Sequence, residues 1–261
     1  IWAESQQMIV IDKLCYQSGL RYVNATEKFV YAMFSLLLCV LSRSVWAPLL
    51  VFTANGILTV KKGGIPLFRY IKLLLIPAGF LLVGTAAILV NISETPLDAF
   101  AFPVGTWYIT GSRASVLWGG LLCVRALAAV TCLYFLSLNT TMTDILGVLA
   151  KLHLPPLVIE LMMLVYRFIF VLLETASAIM VSQESRLGNR TFGSGIRAFG
   201  GMTASLFILA LRKSGALYDA MESRCYDGRI RVLPQENPAK TEEMIMIGAF
   251  EIVLAALAFL V

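Results

Sequence analysis

Five apolar runs decide what this chain can fold into. They lie at about 29–42, 44–60, 73–92, 114–138 and 244–261, with charged segments between them, and around 20 apolar residues are what a helix needs to cross the hydrocarbon of a bilayer. The first run is short by that measure. Only Arg43 divides it from the second, so the two together read as a tight helical hairpin. Composition agrees: 59% of the residues are hydrophobic, 14% are charged and the mean hydropathy is +0.81, whereas a soluble domain is about one-quarter charged. The expected fold class is an all-α membrane protein of about five transmembrane helices with amphipathic cytoplasmic helices.

Positive charge orients the spans. The net charge is +5 and the basic residues cluster between the runs, which is topological information rather than the mark of a nucleic-acid partner. Residues 1–27 form a mixed polar lead carrying Asp12, Lys13, Arg21 and Glu27. Residues 1–7 precede the first methionine, Met8, and are read as lying upstream of the natural start. A four-span bundle follows over 28–138, a cytoplasmic region over 139–240 and a final transmembrane helix over 241–261. With the N-terminus in the cytoplasm, Lys61, Lys62, Arg69 and Lys72 return inside, while the 93–112 loop, with Glu94, Pro96, Asp98 and Pro103, faces outward.

Between 139 and 240 apolar helices are repeatedly interrupted by charge. Thr141-x-x-Asp144 reads as a capping-box-like start to an amphipathic helix with Ile145, Leu146 and Leu149 on one face, and Pro155-Pro156 opens a longer one. Hydropathy alone makes 157–181 a sixth span. Crossing there would strand Arg186, Arg190 and Arg197 outside, and the next run, about 198–211, is short for a return. The stretch is therefore expected to lie along the inner membrane surface. Glu160, Arg167 and Glu174 recur every seven residues, which places them on one helix face with neighbours about 10 Å apart along the axis, too far for direct ion pairs. That face is expected to meet water or polar protein.

One phrase occurs twice in this region, Glu184-Ser185-Arg186 and Glu222-Ser223-Arg224, and aligning the copies also aligns Ala178-Ile179 with Ala216-Leu217. Each copy closes a helix-favouring run and precedes a glycine, Gly188 or Gly228, expected at the left-handed C′ position. Arg186 and Arg224 then sit near helix ends. They either complement the helix dipole, for about 0.3–1 kcal/mol, or form a matched pair of cationic knobs offered to a partner's carboxylates.

Chemistry-bearing motifs are few. There is no G-x-x-x-x-G-K-[ST] phosphate loop and no H-E-x-x-H. The five cysteines have no C-x-x-C spacing, and His153 is the single histidine, so disulfides, a zinc site and a protein cage for a transition metal are not expected. No catalytic residue and no cofactor is assigned to this chain. Gly193-x-Gly195-x-x-Ala198 has no strand before it and reads as a flexible turn between helices. Arg125 and Glu251 lie within spans, as functional-site candidates, as members of structural pairs, or as helix-end residues reaching for the interface.

Taken together, these residues resemble the transmembrane, or T, component of energy-coupling factor transporters, and most closely the cobalt-type members called CbiQ. That family carries two Ala-Arg-Gly-like motifs at the ends of two cytoplasmic coupling helices; here Ser185-Arg186-Leu187 and Ser223-Arg224-Cys225 stand in their places. Leu187 and Cys225 depart from the family's small third residue. Further matching phrases are Leu20-Arg21 with Lys28, Leu138-Asn139-Thr140-Thr141, Tyr166-Arg167-Phe168-Ile169 and Ala220-Met221-Glu222-Ser223-Arg224 ahead of Tyr226. The resemblance implies a multi-pass subunit of a prokaryotic plasma membrane. Its partners would be two ATPase subunits, which receive the two motifs, and a separate membrane subunit that captures substrate. A vitamin-type T component is the nearest alternative. A self-sufficient channel or secondary transporter lined by Arg125 and Glu251 is the rival from another class, and a membrane-embedded enzyme comes third.

Overall fold

The computed structural model describes residues 12, 14–42, 44–89, 91–93, 100–104, 107–111, 113–188, 190–228, 230, 238 and 240–260. Residues 1–7, Lys13, Arg43, Glu94, Pro96 and Asp98, which entered the reading above, lie outside them. The described residues divide into two compact units, one within 10–145 and 236–261 and the other within 146–235.

The first unit is a helical bundle. After a 3-10 turn at Gly19–Tyr22, Asn24 opens α1, Ala25–Leu41, by accepting a hydrogen bond from the Thr26 amide at 2.8 Å, as an N-cap asparagine does. The expected hairpin is tight. Ser42 Oγ donates to the Ser44 carbonyl at 3.1 Å, and Ser44 Oγ accepts from the Trp46 amide at 3.2 Å as α2, Trp46–Ile57, begins. A π-helical turn, Leu58–Lys62, prolongs α2; α3 spans Leu67–Leu89, α4 Arg113–Asn139 and α8 Thr241–Leu260. α4 packs against α1, α2 and α3, while α8 packs on α1 and α2. Where these helices meet, the buried residues are small: Cys39, Ala47, Ala128, Cys132 and Ala258, with Val51 and Leu254. Without a hydrophobic driving force in lipid, small side chains let helix backbones approach and gain dispersion contact.

The segment between α3 and α4 is more than a loop. Three short strands, β1 Asn91–Ser93, β2 Phe100–Val104 and β3 Trp107–Gly111, pair antiparallel in the order β1-β3-β2. Phe100, Phe102, Val104, Trp107, Tyr108 and Ile109 suit a strand. Pro103 is tolerated because β2 pairs on one side only. The helical framework is as expected; this small sheet is an addition to it.

α5 covers Met142–Lys151, of which 146–151 belong to the second unit; there α6 covers Pro156–Ser185 and α7 Phe192–Glu222. Thr141 Oγ1 accepts from the Asp144 amide at 3.3 Å, and Pro155 and Pro156 start α6, as expected. α7 differs from the reading above. Its 31 residues begin with a capping box between Thr191 and Ser194, so Gly193 and Gly195 belong to its first turns instead of a flexible connection. Among the described residues, α3 and α4, over Leu67–Ile88 and Leu117–Asn139, and α6 and α7 over their full lengths are long and apolar enough to cross a membrane. The run after α6 is therefore not short, which removes one of the two arguments against a crossing at 157–181.

Candidate functional site

Helices α5, α6 and α7 all end in the same way. Among the described residues, the non-glycine residues with positive φ are His153, Leu187 and Cys225, at 61°, 57° and 59°, and each is the left-handed residue that stops a helix. At the α6 end the Gly188 amide donates to the Gln183 carbonyl at 2.8 Å and the Leu187 amide to that of Glu184 at 3.0 Å. At the α7 end the Tyr226 amide donates to Met221 at 3.1 Å and the Cys225 amide to Glu222 at 3.0 Å. The α5 end repeats the pattern, with Leu154 on Leu149 and His153 on Ala150. These are the paired bonds of the Schellman motif. Gly188 therefore sits one residue past the expected C′ position, and Gly228, with φ of 84°, lies three past Cys225. His153 is an exposed turn residue, as expected for a surface or helix-entry position.

The repeated phrase thus has a geometry. Arg186 and Arg224 each stand immediately before a left-handed residue, at the exposed end of a helix of 30 or 31 residues. Ser185 Oγ donates to the Val181 carbonyl at 2.8 Å and Ser223 Oγ to that of Ala220 at 3.0 Å. Both hydroxyls are therefore engaged with their own helix. Leu187 is 68% exposed and Cys225 is exposed, so neither packs into the protein. A residue with a Cβ pays about 1–2 kcal/mol to hold this conformation. Glycine would hold it without that cost, which gives the third motif position a physical meaning: it is the helix-stop residue. At the α5 end the corresponding residue before the turn is Leu152, so the arginines are not demanded by the turn itself.

Each end is anchored by a different side chain. Gln183 Nε2 donates to the Ala198 carbonyl at 2.9 Å, tying the α6 end to α7. At the α7 end, the Tyr226 hydroxyl donates to Glu160 Oε2 at 2.7 Å and the Ile230 amide to Glu160 Oε1 at 2.9 Å. The hydrogen bond to Glu160 is the main influence pushing the Tyr226 phenol above its ordinary value. Glu160 is 7% exposed, whereas Arg167 and Glu174 are exposed. Of the face expected to meet water or polar protein, Glu160 meets polar protein, buried against the segment that follows α7, while Arg167 and Glu174 meet solvent.

The remaining candidates belong to the bundle. Glu251 Oε1 accepts from Ser35 Oγ at 2.7 Å, joining α8 to α1, and the second oxygen is buried without a partner. Arg125 is half-buried with its Nε unpartnered, and it makes no ion pair with Glu251 among the described residues. Two phrases far apart in sequence meet at the other end of α4. Lys28, 3% exposed, donates to the carbonyls of Leu20 at 3.0 Å and Asn139 at 2.9 Å, and Ser18 Oγ donates to Asn139 Oδ1 at 2.7 Å. Sequence reasoning missed the partners Tyr226, Gln183 and Ser18. Nothing local marks them; the bonds to Tyr226 and Ser18 span 66 and 121 positions.

A family model described as cobalt transport protein, CbiQ, matches residues 17–235. The chain belongs to the CbiQ family. The matched segment contains Lys28, Asn139, Glu160 and both arginine-bearing helix ends, while α8 and Glu251 fall outside it. An uncharacterised protein of Methanocaldococcus jannaschii is 34% identical over 255 residues, 96% of this chain and 93% of that one. The cobalt transport protein CbiQ of Salmonella typhimurium is 29% identical over 222 residues, covering 85% of this chain and 98% of its own length. The energy-coupling factor transporter transmembrane protein EcfT of Thermanaerovibrio acidaminovorans is 31% identical over 199 residues, 70% and 71% of the two chains. This CbiQ-family chain is thus a membrane transport component of the energy-coupling factor type.

Proposed function

We propose that this CbiQ-family chain is the non-catalytic coupling subunit of an ATP-driven importer, with cobalt, bound for cobalamin biosynthesis, as the cargo. The carrying observation is the pair of helix ends that share one backbone geometry, each presenting an exposed arginine before a left-handed stop. In this reading each of two ATPase subunits receives one end in a surface groove, where Arg186 and Arg224 meet acidic groups. A guanidinium suits that task because its fork of donors matches a carboxylate. Closing and opening of the ATPase pair tilts α6 and α7, whose apolar faces pass the motion to a membrane subunit that captures the ion. Residues 139–240 and the N-terminus lie on the cytoplasmic side, in keeping with Lys61, Lys62, Arg69 and Lys72. With one histidine, on an exposed turn, metal capture is assigned to the partner.

The test is co-purification of the two ATPase subunits with the Arg186→Glu, Arg224→Glu and double variants, beside cellular uptake of labelled cobalt. Each single change removes a donor and sets like charges together, typically several kcal/mol at a desolvated contact, so capture and uptake fall and the double variant falls furthest. An arginine that only completes a helix dipole is worth about 1 kcal/mol and acts on helix stability. Normal expression, capture and uptake in the double variant would return first place to a self-sufficient transporter.

A further inference from the structure

The two arginine-bearing ends share a backbone geometry but not an anchor. At the α6 end the tie is a neutral amide, Gln183 Nε2 on the Ala198 carbonyl, reaching into the second turn of the helix that follows. At the α7 end it is a buried carboxylate with two donors. Glu160 lies in the second turn of α6, and its two oxygens take the Tyr226 hydroxyl at 2.7 Å and the Ile230 amide at 2.9 Å. Tyr226 is also a member of the stop motif, because its amide closes the bond to Met221 around Arg224 and Cys225. One side chain therefore fixes the turn on its C-terminal side.

The consequence is mechanical. A Schellman turn carrying a non-glycine residue at φ 59° holds a conformation that residue disfavours, and a bond to its flank adds to what keeps it there. Both hydrogen bonds to Glu160 are of the charge-assisted kind when the carboxylate is ionised, the stronger class. At the α6 end the residue in the place of Tyr226 is Gly188, whose amide bonds to Gln183 in the same way and which has no side chain to be held. The α7 end has the bulkier Tyr226 at that position.

We propose that Glu160 is a positioning residue: through Tyr226 and Ile230 it holds the α7 stop so that Arg224 is presented in fixed geometry, and it carries load from Arg224 into the start of α6. The inference rests on the docking role given to the arginines above. It makes the two ends unequal, with the second one braced by an ionisable side chain and the first one not.

The experiment uses the full chain co-expressed with its two ATPase subunits and purified in detergent. Hydrogen exchange is followed at the Cys225 and Tyr226 amides and, as an internal reference, at Leu187 and Gly188. Tyr226→Phe removes one bond while keeping the ring; Glu160→Ala removes both acceptors; Glu160→Gln keeps neutral acceptor capacity. Exchange at 225 and 226 speeds by about tenfold in Tyr226→Phe and further in Glu160→Ala, with Glu160→Gln between wild type and alanine, the scale of losing charge-assisted hydrogen bonds. Exchange at 187 and 188 stays unchanged. ATPase capture is then compared across backgrounds. Glu160→Ala lowers it in the wild type and in Arg186→Ala, but adds nothing in Arg224→Ala, a pattern that a general loss of stability does not produce. Unchanged exchange at 225 and 226, or an equal fall in both arginine backgrounds, overturns the positioning role. If Arg186→Ala and Arg224→Ala themselves leave capture intact, the docking role falls instead, and any faster exchange then marks Glu160 as a brace of the turn alone.

Discussion

In the unit built from 10–145 and 236–261, the helices bury small side chains against one another, with Ala47, Ala128, Cys132 and Ala258 at or below 2% exposure. In the 146–235 unit, α6 and α7 bury one residue each, Glu160 and Met202, along 30 and 31 residues. The first unit keeps a packed seam of small side chains where its helices meet, exposes large apolar side chains such as Phe80 and Ile252 on its outer faces, and adds buried polar ties, Lys28 to Asn139 and Ser35 to Glu251. The second leaves its apolar faces open and is ordered at its helix ends, by caps, stops and two side-chain anchors. The two units thus differ in where their order comes from: side-chain packing between helices in the first, hydrogen-bonded helix ends in the second.

The comparison breaks most visibly at glycine. A methyl group added at Gly63 meets the Thr59 carbonyl oxygen and Asn139 Oδ1 at once, whereas one added at Gly200 in α7 meets nothing within 4 Å. Gly63→Ala is expected to lose about 1–3 kcal/mol or more through overpacking against backbone, and Gly200→Ala to gain up to about 1 kcal/mol in helix propensity. Thermal unfolding in detergent reads both, and shifts of the same sign would show that the two units do not differ in packing as described.

Charged side chains sharpen it next. Lys28→Met removes the donor for two buried carbonyls, and hydrogen bonds to charged groups are worth about 1.5–3 kcal/mol each before relaxation. Arg167→Met, on the exposed side of α6, stays within about 0.5 kcal/mol. Equal destabilisation in the same unfolding measurement would contradict the assignment of Lys28 as a tie and Arg167 as a surface residue.

Smaller still is the effect at the helix stop. Leu187→Gly relieves the left-handed strain and Leu187→Val increases it, a spread of about 1–2 kcal/mol. It is read as slower or faster hydrogen exchange at 187 and 188, with the bundle amides unmoved.

The cysteines give a pH-dependent contrast. Burial pushes the Cys15 thiol up to about 11, while Cys225 is exposed. N-ethylmaleimide at pH 7.5 is therefore expected to modify Cys225 well before Cys15. Because the folded value of Cys15 lies above the unfolded one, the unfolded chain loses its proton first as pH rises. Folding stability is then fully present below about pH 8.5 and declines toward pH 11. Flat stability over that window together with equal labelling of the two thiols would place Cys15 on the surface.

Much of this was legible in the chain. Apolar runs with basic spacers gave the helices, and the repeated Glu-Ser-Arg phrase marked both ends correctly, because helix period and end composition are local signals. The stop residues were not legible: Gly188 and Gly228 attracted the expectation that Leu187 and Cys225 fulfil, since sequence favours glycine where the backbone instead strained a leucine and a cysteine. Spacing groups Glu160 with Arg167 and Glu174, and spacing says nothing of a tyrosine 66 positions away. Lys28 and Asn139 were each noticed, but that one bonds the other depends on the packing of α1 against α4. The sheet at 91–111 reads as loop in the sequence because its strands are three to five residues long, below the length at which alternation can be recognised.

The central claim is that the two helix ends touch ATPase subunits, and site-specific cross-linking measures it most directly. Native Cys225 and a cysteine introduced by Leu187→Cys each sit beside one of the arginines at an exposed turn. In the assembled complex, a short photoactivatable maleimide on either position is expected to give an adduct at the combined mass of this chain and one ATPase subunit. The adduct disappears in Cys225→Ser for the second position and weakens with Arg186→Glu or Arg224→Glu for the corresponding end. Adducts only with the substrate-capture subunit, or no protein adduct from either position in a complex that still hydrolyses ATP, would contradict the account.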